Sequence, residues 1–82
     1  MADDVPIVYY EPGCPYSAWL RAQLTLARGP HRSVRFRDDE EGAEAVRDHH
    51  EHGYELSPTV VVGSEYLTNP SLRQVREAIA RR

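Results

Sequence analysis

Apolar and polar positions change their period repeatedly along the chain, and each change predicts an element. Val5-Pro6-Ile7-Val8-Tyr9-Tyr10 is a short β-favouring run that stops at Glu11-Pro12-Gly13, where proline and glycine end the pattern. It predicts a central strand. From Pro15 to Arg28 the period is helical: Leu20, Leu24 and Ala27 share a face, Trp19 sits beside them with packing as its expected role, and Gly29-Pro30 closes the segment. Val34 and Phe36 then alternate with Ser33, Arg35 and Arg37, the pattern of a strand with one buried face. Asp38 or Asp39 offers an N-cap for a helix from about Glu41 to His50, with Ala43, Val46 and His50 inward. Thr59-Val60-Val61-Val62 reads as a buried strand, and Gly63-Ser64 joins it to Glu65-Tyr66-Leu67 as a hairpin. Asn69 as N-cap and Pro70 at the first helical position open a last helix. Its Leu72, Val75 and Ile79 share a face, and Arg81 and Arg82 stand at the negative end of its dipole.

The order is therefore β-α-β-α-β-β-α: an α/β chain with a four-stranded mixed sheet flanked by three helices, its first crossover right-handed. At 82 residues there is room for one small domain, 1–82, of a size that buries only about 60% of the surface its unfolded chain exposes. With 40% hydrophobic and 28% charged residues the composition is that of a globular protein. No apolar run approaches the roughly 20 residues a bilayer crossing needs, so no membrane partner is expected. Met1-Ala2-Asp3-Asp4 lacks the basic start and apolar stretch of a signal peptide, which leads to an expected cytoplasmic setting. A net charge of −3 gives no general electrostatic reason to bind nucleic acid. The arginines at 28, 32, 35 and 37 belong to a chain with no lysine at all, a bias that points to a GC-rich genome before a nucleic-acid site.

The single cysteine excludes an internal disulfide and a multi-thiolate zinc site, so the fold must rest on its core. His49-His50-x-His52 carries metal-ligand residue types, but with Glu51 between them and no nearby cysteine they read as solvated side chains, and no metal site is assigned. Cys14 itself lies in Tyr10-Glu11-Pro12-Gly13-Cys14-Pro15-Tyr16-Ser17, between the end of a strand and the first turn of a helix. There the sulfur meets unsatisfied backbone N–H groups and the positive end of the helix dipole, both of which favour the thiolate. Helix N-termini can bring a thiol pKa from about 8.5 to roughly 3.5–7.5. Pro15 starts the helix without losing a needed donor. Ser17, one turn on, can donate a hydrogen bond to the thiolate but cannot form a disulfide. Ser57-Pro58 stands just before the third strand, where proline is rare without a purpose. A cis bond there turns the Ser57 backbone N–H and C=O toward an extended ligand.

The C-P-Y motif after the first strand, the proline opening the third, and the element order over the whole chain resemble the glutaredoxin branch of the thioredoxin fold. Within it, "SPTVVV" followed by "YLTNPS" is most similar to the mycoredoxins, which serve mycothiol instead of glutathione. The resemblance implies that Cys14 is the nucleophile, with Ser17 at the place of the second motif residue. It puts Pro15 and Tyr16 beside the bound thiol, Ser57 and Pro58 as its backbone partner, and Thr68 and Asn69 at the end of its groove. There are three departures. Ser17 replaces the second cysteine, Leu56-Ser57 replaces Thr-Val before the proline, and Glu11 stands near a position commonly basic. The last is less awkward for a thiol ending in a sugar than for one bearing a carboxylate.

Such a chain is expected to be a monomeric thiol–disulfide oxidoreductase with no bound cofactor. It would use a low-molecular-weight thiol, mycothiol or glutathione, as cosubstrate, and disulfide-containing or thiol-capped proteins as partners. Serine at 17 fits a one-cysteine cycle, and equally a resolving cysteine replaced by design. Two other readings stay open: an iron–sulfur cluster carrier, with Cys14 from each of two subunits and two external thiols as ligands, and a non-enzymatic redox sensor. Arg21 faces either solvent or the small thiol's carboxylate.

Overall fold

A computed structural model describes residues 5–81. The period-2 alternation of its two central strands, Ile7–Tyr10 and Thr59–Val62, organises it. The elements are β1 (Ile7–Tyr10), α1 (Pro15–Leu26), β2 (Arg32–Arg35), α2 (Glu40–His49), β3 (Thr59–Val62), β4 (Glu65–Thr68) and α3 (Leu72–Arg81), with a 3-10 turn over Phe36–Asp38. The sheet has the order β2-β1-β3-β4. β1 runs parallel to β2, with Tyr9 opposite Val34, and antiparallel to β3, with Val8 opposite Val60; β3 and β4 are antiparallel, with Val61 opposite Tyr66. A parallel pair needs a crossover connection, and α1 supplies it. The expected α/β architecture, a four-stranded mixed sheet with three helices, is present, with β1 central.

Successive side chains of a strand point to opposite faces, so the sheet has two cores. On one face Val8, Val60 and Val62 pack with Leu20 and Leu24 of α1 and Val75 and Ala78 of α3. On the other, Tyr9 packs with Phe36 and with Ala43 and Val46 of α2, and half-buried Ile7, Val34, Val61 and Tyr66 close the layer. Each buried aliphatic side chain is worth roughly 1.5–3 kcal/mol relative to exposure.

Several boundaries depart from the sequence reading. β1 begins at Ile7 because Pro6 has no N–H to give; its carbonyl accepts the Arg32 N–H at 2.9 Å. α1 ends at Leu26, and Arg28, not Gly29, takes the left-handed conformation (φ 56°). The N–H groups of Gly29 and Arg28 reach back to the carbonyls of Leu24 (2.8 Å) and Thr25 (3.1 Å), the paired bonds of a Schellman close. Phe36 leaves the strand: the chain turns there, Arg35 pairs with Asp38 at 2.7 Å, and the ring stacks on Tyr9 with centroids 5.8 Å apart.

α2 starts one residue earlier than expected and is capped by Asp39, so His50 becomes its half-buried C-cap and not an inward helical residue. Asp39 works at both oxygens: Oδ1 accepts the Gly42 N–H (3.0 Å) and Oδ2 accepts the Tyr9 hydroxyl (2.9 Å). Asn69 does not cap α3, and Pro70 is not its first residue. Ser71 and Gln74 form a reciprocal capping box instead: Ser71 Oγ accepts the Gln74 N–H at 3.1 Å, and Gln74 Oε1 accepts the Ser71 N–H at 2.8 Å. Arg81 leaves the helix axis to pair with Glu65 of β4. The readings of Met1 to Asp4 and of Arg82 lie outside the described residues. No helix among the described residues is long and apolar enough to cross a membrane.

A Cβ at Gly42 would collide with the Tyr9 hydroxyl and the Asp39 carboxylate. Gly42→Ala is therefore expected to cost about 1–3 kcal/mol, read as a lower urea midpoint, with partial recovery when Tyr9→Phe is added. Burial first, then the Asp39 hydrogen bond and charge, raise the Tyr9 pKa from 10.0 to about 12. The folded state resists losing this proton, so the contribution to stability is whole below pH 10 and is lost as pH rises through 12. Urea midpoints across that window should fall in the parent chain and fall less in Tyr9→Phe.

Candidate functional site

Antiparallel pairing of β1 with β3 sets the end of one strand beside the start of the other, with Tyr9 opposite Thr59. The turn after β1 and the step before β3 therefore meet. Gly13 supplies the positive φ (86°) that turns the chain into α1, and Cys14 becomes the helix N-cap in an extended conformation, with Pro15 at the first helical position. The Ser57–Pro58 peptide is cis. Half-buried Cys14 lies against it, its Sγ–H donating to the Ser57 carbonyl at 3.6 Å. Ser57 Oγ accepts the Glu11 N–H at 3.0 Å, which leaves the hydroxyl proton free to turn to the sulfur.

The thiol pKa lies below its ordinary value, and the largest cause is the Ser57 hydroxyl hydrogen bond. Partial burial opposes it; the N–H and hydroxyl of Ser17 and the N–H of Tyr16 add to the lowering. Two points differ from the sequence reading. Ser57 was expected to act through its backbone alone, yet its side chain is the leading support of the thiolate. Ser17, expected to face the sulfur, is fully buried and gives its hydroxyl proton to the Cys14 carbonyl oxygen at 2.9 Å. Its contribution to the thiolate is correspondingly smaller. No nearby sequence pattern marks Ser57 as a side-chain donor, because it is 43 positions from the cysteine it serves.

The other candidate residues divide. Tyr16 is exposed on the first turn of α1. The Asn69 N–H donates to the Pro58 carbonyl at 2.8 Å, so Asn69, in a left-handed conformation (φ 45°), is joined directly to the site. Thr68 is exposed at the end of β4 opposite Thr59 and lines a small crevice on the α2 side with His49, His50 and Tyr66, away from Asn69. Trp19 is not packed: it is 67% exposed and, with Tyr16, Leu20 and Asn69, borders a groove between α1 and the start of α3. Arg21 lies over the Tyr10 ring at 4.0 Å and donates from Nε to the Ser17 carbonyl at 3.4 Å, on the opposite flank of α1.

The histidines have local work. His49 stacks on Tyr66 with centroids 3.8 Å apart, and His50 Nδ1 accepts the N–H of His52 at 3.1 Å and of Tyr54 at 3.5 Å. Among the described residues no group of three His, Cys, Asp or Glu side chains is placed to hold a metal ion. Comparison with protein-family models finds no match to this chain, and comparison with curated proteins finds none either. What the site can do chemically follows from its geometry: a half-buried sulfur nucleophile whose anion is met by hydroxyl and N–H donors.

Removing the Ser57 hydroxyl should raise the Cys14 pKa. In Ser57→Ala the pH midpoint of iodoacetamide alkylation is expected to move upward, and in Ser17→Ala to move upward by less; equal shifts in the two variants would reverse the assigned order of importance.

Proposed function

We propose that this chain has a thioredoxin-like fold of the glutaredoxin type and acts as a thiol–disulfide exchange enzyme. A low-molecular-weight thiol, mycothiol in preference to glutathione, is its cosubstrate, and the chain works as a cytoplasmic monomer. The observation that carries the reading is the contact of Cys14, a helix N-cap with a lowered pKa, with the Ser57–Pro58 step. A sulfur in that setting is ionised at lower pH than a free thiol and remains reachable by a second sulfur.

The cycle needs one cysteine. The Cys14 thiolate attacks the small-thiol sulfur of a protein mixed disulfide; that S–S bond breaks, and the protein sulfur leaves as a thiolate that takes a proton from water. Cys14 now holds the small thiol through a new S–S bond. A second small thiol, as its thiolate, attacks the sulfur of the bound one, releasing the symmetrical small-molecule disulfide and regenerating the Cys14 thiolate. The net change reduces one protein mixed disulfide and oxidises one further small thiol. Ser17, buried and without sulfur, takes no part in the exchange of bonds.

Supplying a peptide mixed disulfide of mycothiol and, separately, one of glutathione tests the reading. Turnover is expected with both, faster with mycothiol, and absent in Cys14→Ala. Turnover with neither would remove the enzyme assignment; faster turnover with glutathione would remove the cosubstrate assignment alone.

A further inference from the structure

Charge is segregated along this chain. Residues 12–37, which contain α1 and β2, hold five of the ten arginines, whereas all 13 acidic residues lie outside them. On a chain of net charge −3, one flank is therefore basic. Arg28, Arg32, Arg35 and Arg37 are exposed there, and Asp38 meets Arg35. Beside them α1 and β2 enclose an open groove of about 520 Å³, with Ala18, Ala22 and Leu26 on the helix side, Ser33 on the strand side, and Arg21 and His31 also lining it. Leu26 is 83% exposed, the most open of the large apolar side chains described. Basic groups around an apolar groove suit a ligand that is both acidic and apolar.

β2 is also an edge strand, bonded to β1 alone among the described strands. In a parallel ladder one residue points its N–H and C=O at the neighbouring strand and the next points both away. The Arg32 N–H donates to the Pro6 carbonyl at 2.9 Å, so Arg32 and Val34 face β1, while the backbone of Ser33 and the N–H of Arg35 face outward. Side chains alternate as well: Val34 packs on the α2 side, which puts Ser33 on the α1 side, at the groove. A strand added antiparallel to β2 exchanges two bonds with Ser33 and takes a third from the Arg35 N–H. Its residue opposite Ser33 shares that face and enters the groove, and the residue after it comes opposite Arg32. A second copy of β2 would crowd arginine against arginine, so the edge repels its own kind. A nucleic acid would meet the arginines but has no backbone amides to match the strand.

We propose that the β2 edge and this groove dock an extended acidic segment of a partner protein by strand addition. One aliphatic side chain of the segment fills the groove against Leu26, and carboxylates on either side of it face the arginines. β2 runs with β1 toward the Cys14 turn, so the N-terminal end of the docked segment points at the sulfur. Two strand spacings, about 10 Å, separate it from β1, a way that about five extended residues cover. The partner's thiol-capped cysteine accordingly lies about five residues before the segment. That link to the sulfur rests on the exchange reading; the docking does not.

Anisotropy of a fluorescein-labelled, cysteine-free heptapeptide, with leucine at its centre and Asp or Glu elsewhere, tests the docking. Binding is expected at about 50 mM salt and should weaken severalfold at about 300 mM. It should fall about tenfold in Arg32→Glu and about tenfold in Ser33→Pro, which removes an outward N–H, and severalfold in Leu26→Ser. Arg73→Glu, on exposed α3, should bind as the parent does. Absence of binding, an equal loss in Arg73→Glu, or equal binding of a serine-centred peptide or of an oligothymidylate of the same charge would overturn the proposal. So would a dimer in sedimentation that Ser33→Pro abolishes, which would make the edge a self-interface. In turnover, a peptide mixed disulfide about five residues before the acidic segment should show a KM about tenfold below that of its Asn/Gln counterpart. Arg32→Glu should erase that advantage and leave turnover of hydroxyethyl disulfide unchanged. Binding without the KM advantage would overturn the link to the sulfur. Failure of the parent chain to turn over hydroxyethyl disulfide would be the failure of the exchange reading and would take that link with it, whereas the anisotropy decides the docking by itself.

Discussion

The chemistry at the sulfur depends on how the Ser57–Pro58 step is held. Three parts of the chain grip it: the Glu11 N–H on Ser57 Oγ, the Cys14 thiol on the Ser57 carbonyl, and the Asn69 N–H on the Pro58 carbonyl. These donors come from the turn after β1, the start of α1 and the approach to α3. None is near residue 57 in sequence, so the site is complete only when the sheet is. The β1–β3 register is the cause beneath it, since a slip of one residue would turn Val8 and Val60 out of their core and separate the two loops. Reactivity at Cys14 is thus a property of tertiary structure more than of the helix end alone.

How much of this was legible in the sequence follows from the range of each cause. The strands and helices were visible because burial repeats at short period: Val8 with Val60 and Val62 on one face, Tyr9 on the other, and Leu20 with Leu24 on α1. The placing of Cys14 at a helix start was visible for the same reason. What failed was in part what a distant partner decides and in part a choice between two local signals. Asn69 and Ser71 are both good capping residues; Asn69 is drawn off by Pro58, and Ser71 is fixed by Gln74, a Ser-x-x-Gln spacing that could have been read. The alternation of Val34 and Phe36 continues through a 3-10 turn, which the strand pattern alone does not detect. Trp19 adjoins the helix's buried face, and periodicity does not say on which flank the covering layer stops. The Ser57 hydroxyl had no local signal at all.

The sheet also separates two tasks. Its α1–α3 face carries the sulfur and the groove beside it, whereas its α2 face holds the Tyr9–Asp39–Gly42 cluster, with Arg47 of α2 bridging Glu40 and Glu55. Asp39 is economical there, one carboxylate capping a helix and satisfying a buried phenol, and the absence of a Cβ at Gly42 makes the approach fit. The loop after α2 is organised by His50 and leads to Ser57, so the second face reaches the site through the backbone.

Cys14 caps α1 with its backbone only; its side chain makes no capping bond. At most helix starts the capping side chain is committed to the first turn, and altering it loosens the helix by about 1 kcal/mol. Here that turn is secured by other atoms: the Cys14 carbonyl accepts both the Ala18 N–H (3.1 Å) and the Ser17 hydroxyl (2.9 Å). The α1 cap therefore does not depend on the sulfur, whose own bond runs across to the Ser57 carbonyl. Ionising, alkylating or bridging it leaves the α1 cap in place and gives up only the bond to Ser57, so the change in chemical state is felt across the cleft and not along the helix.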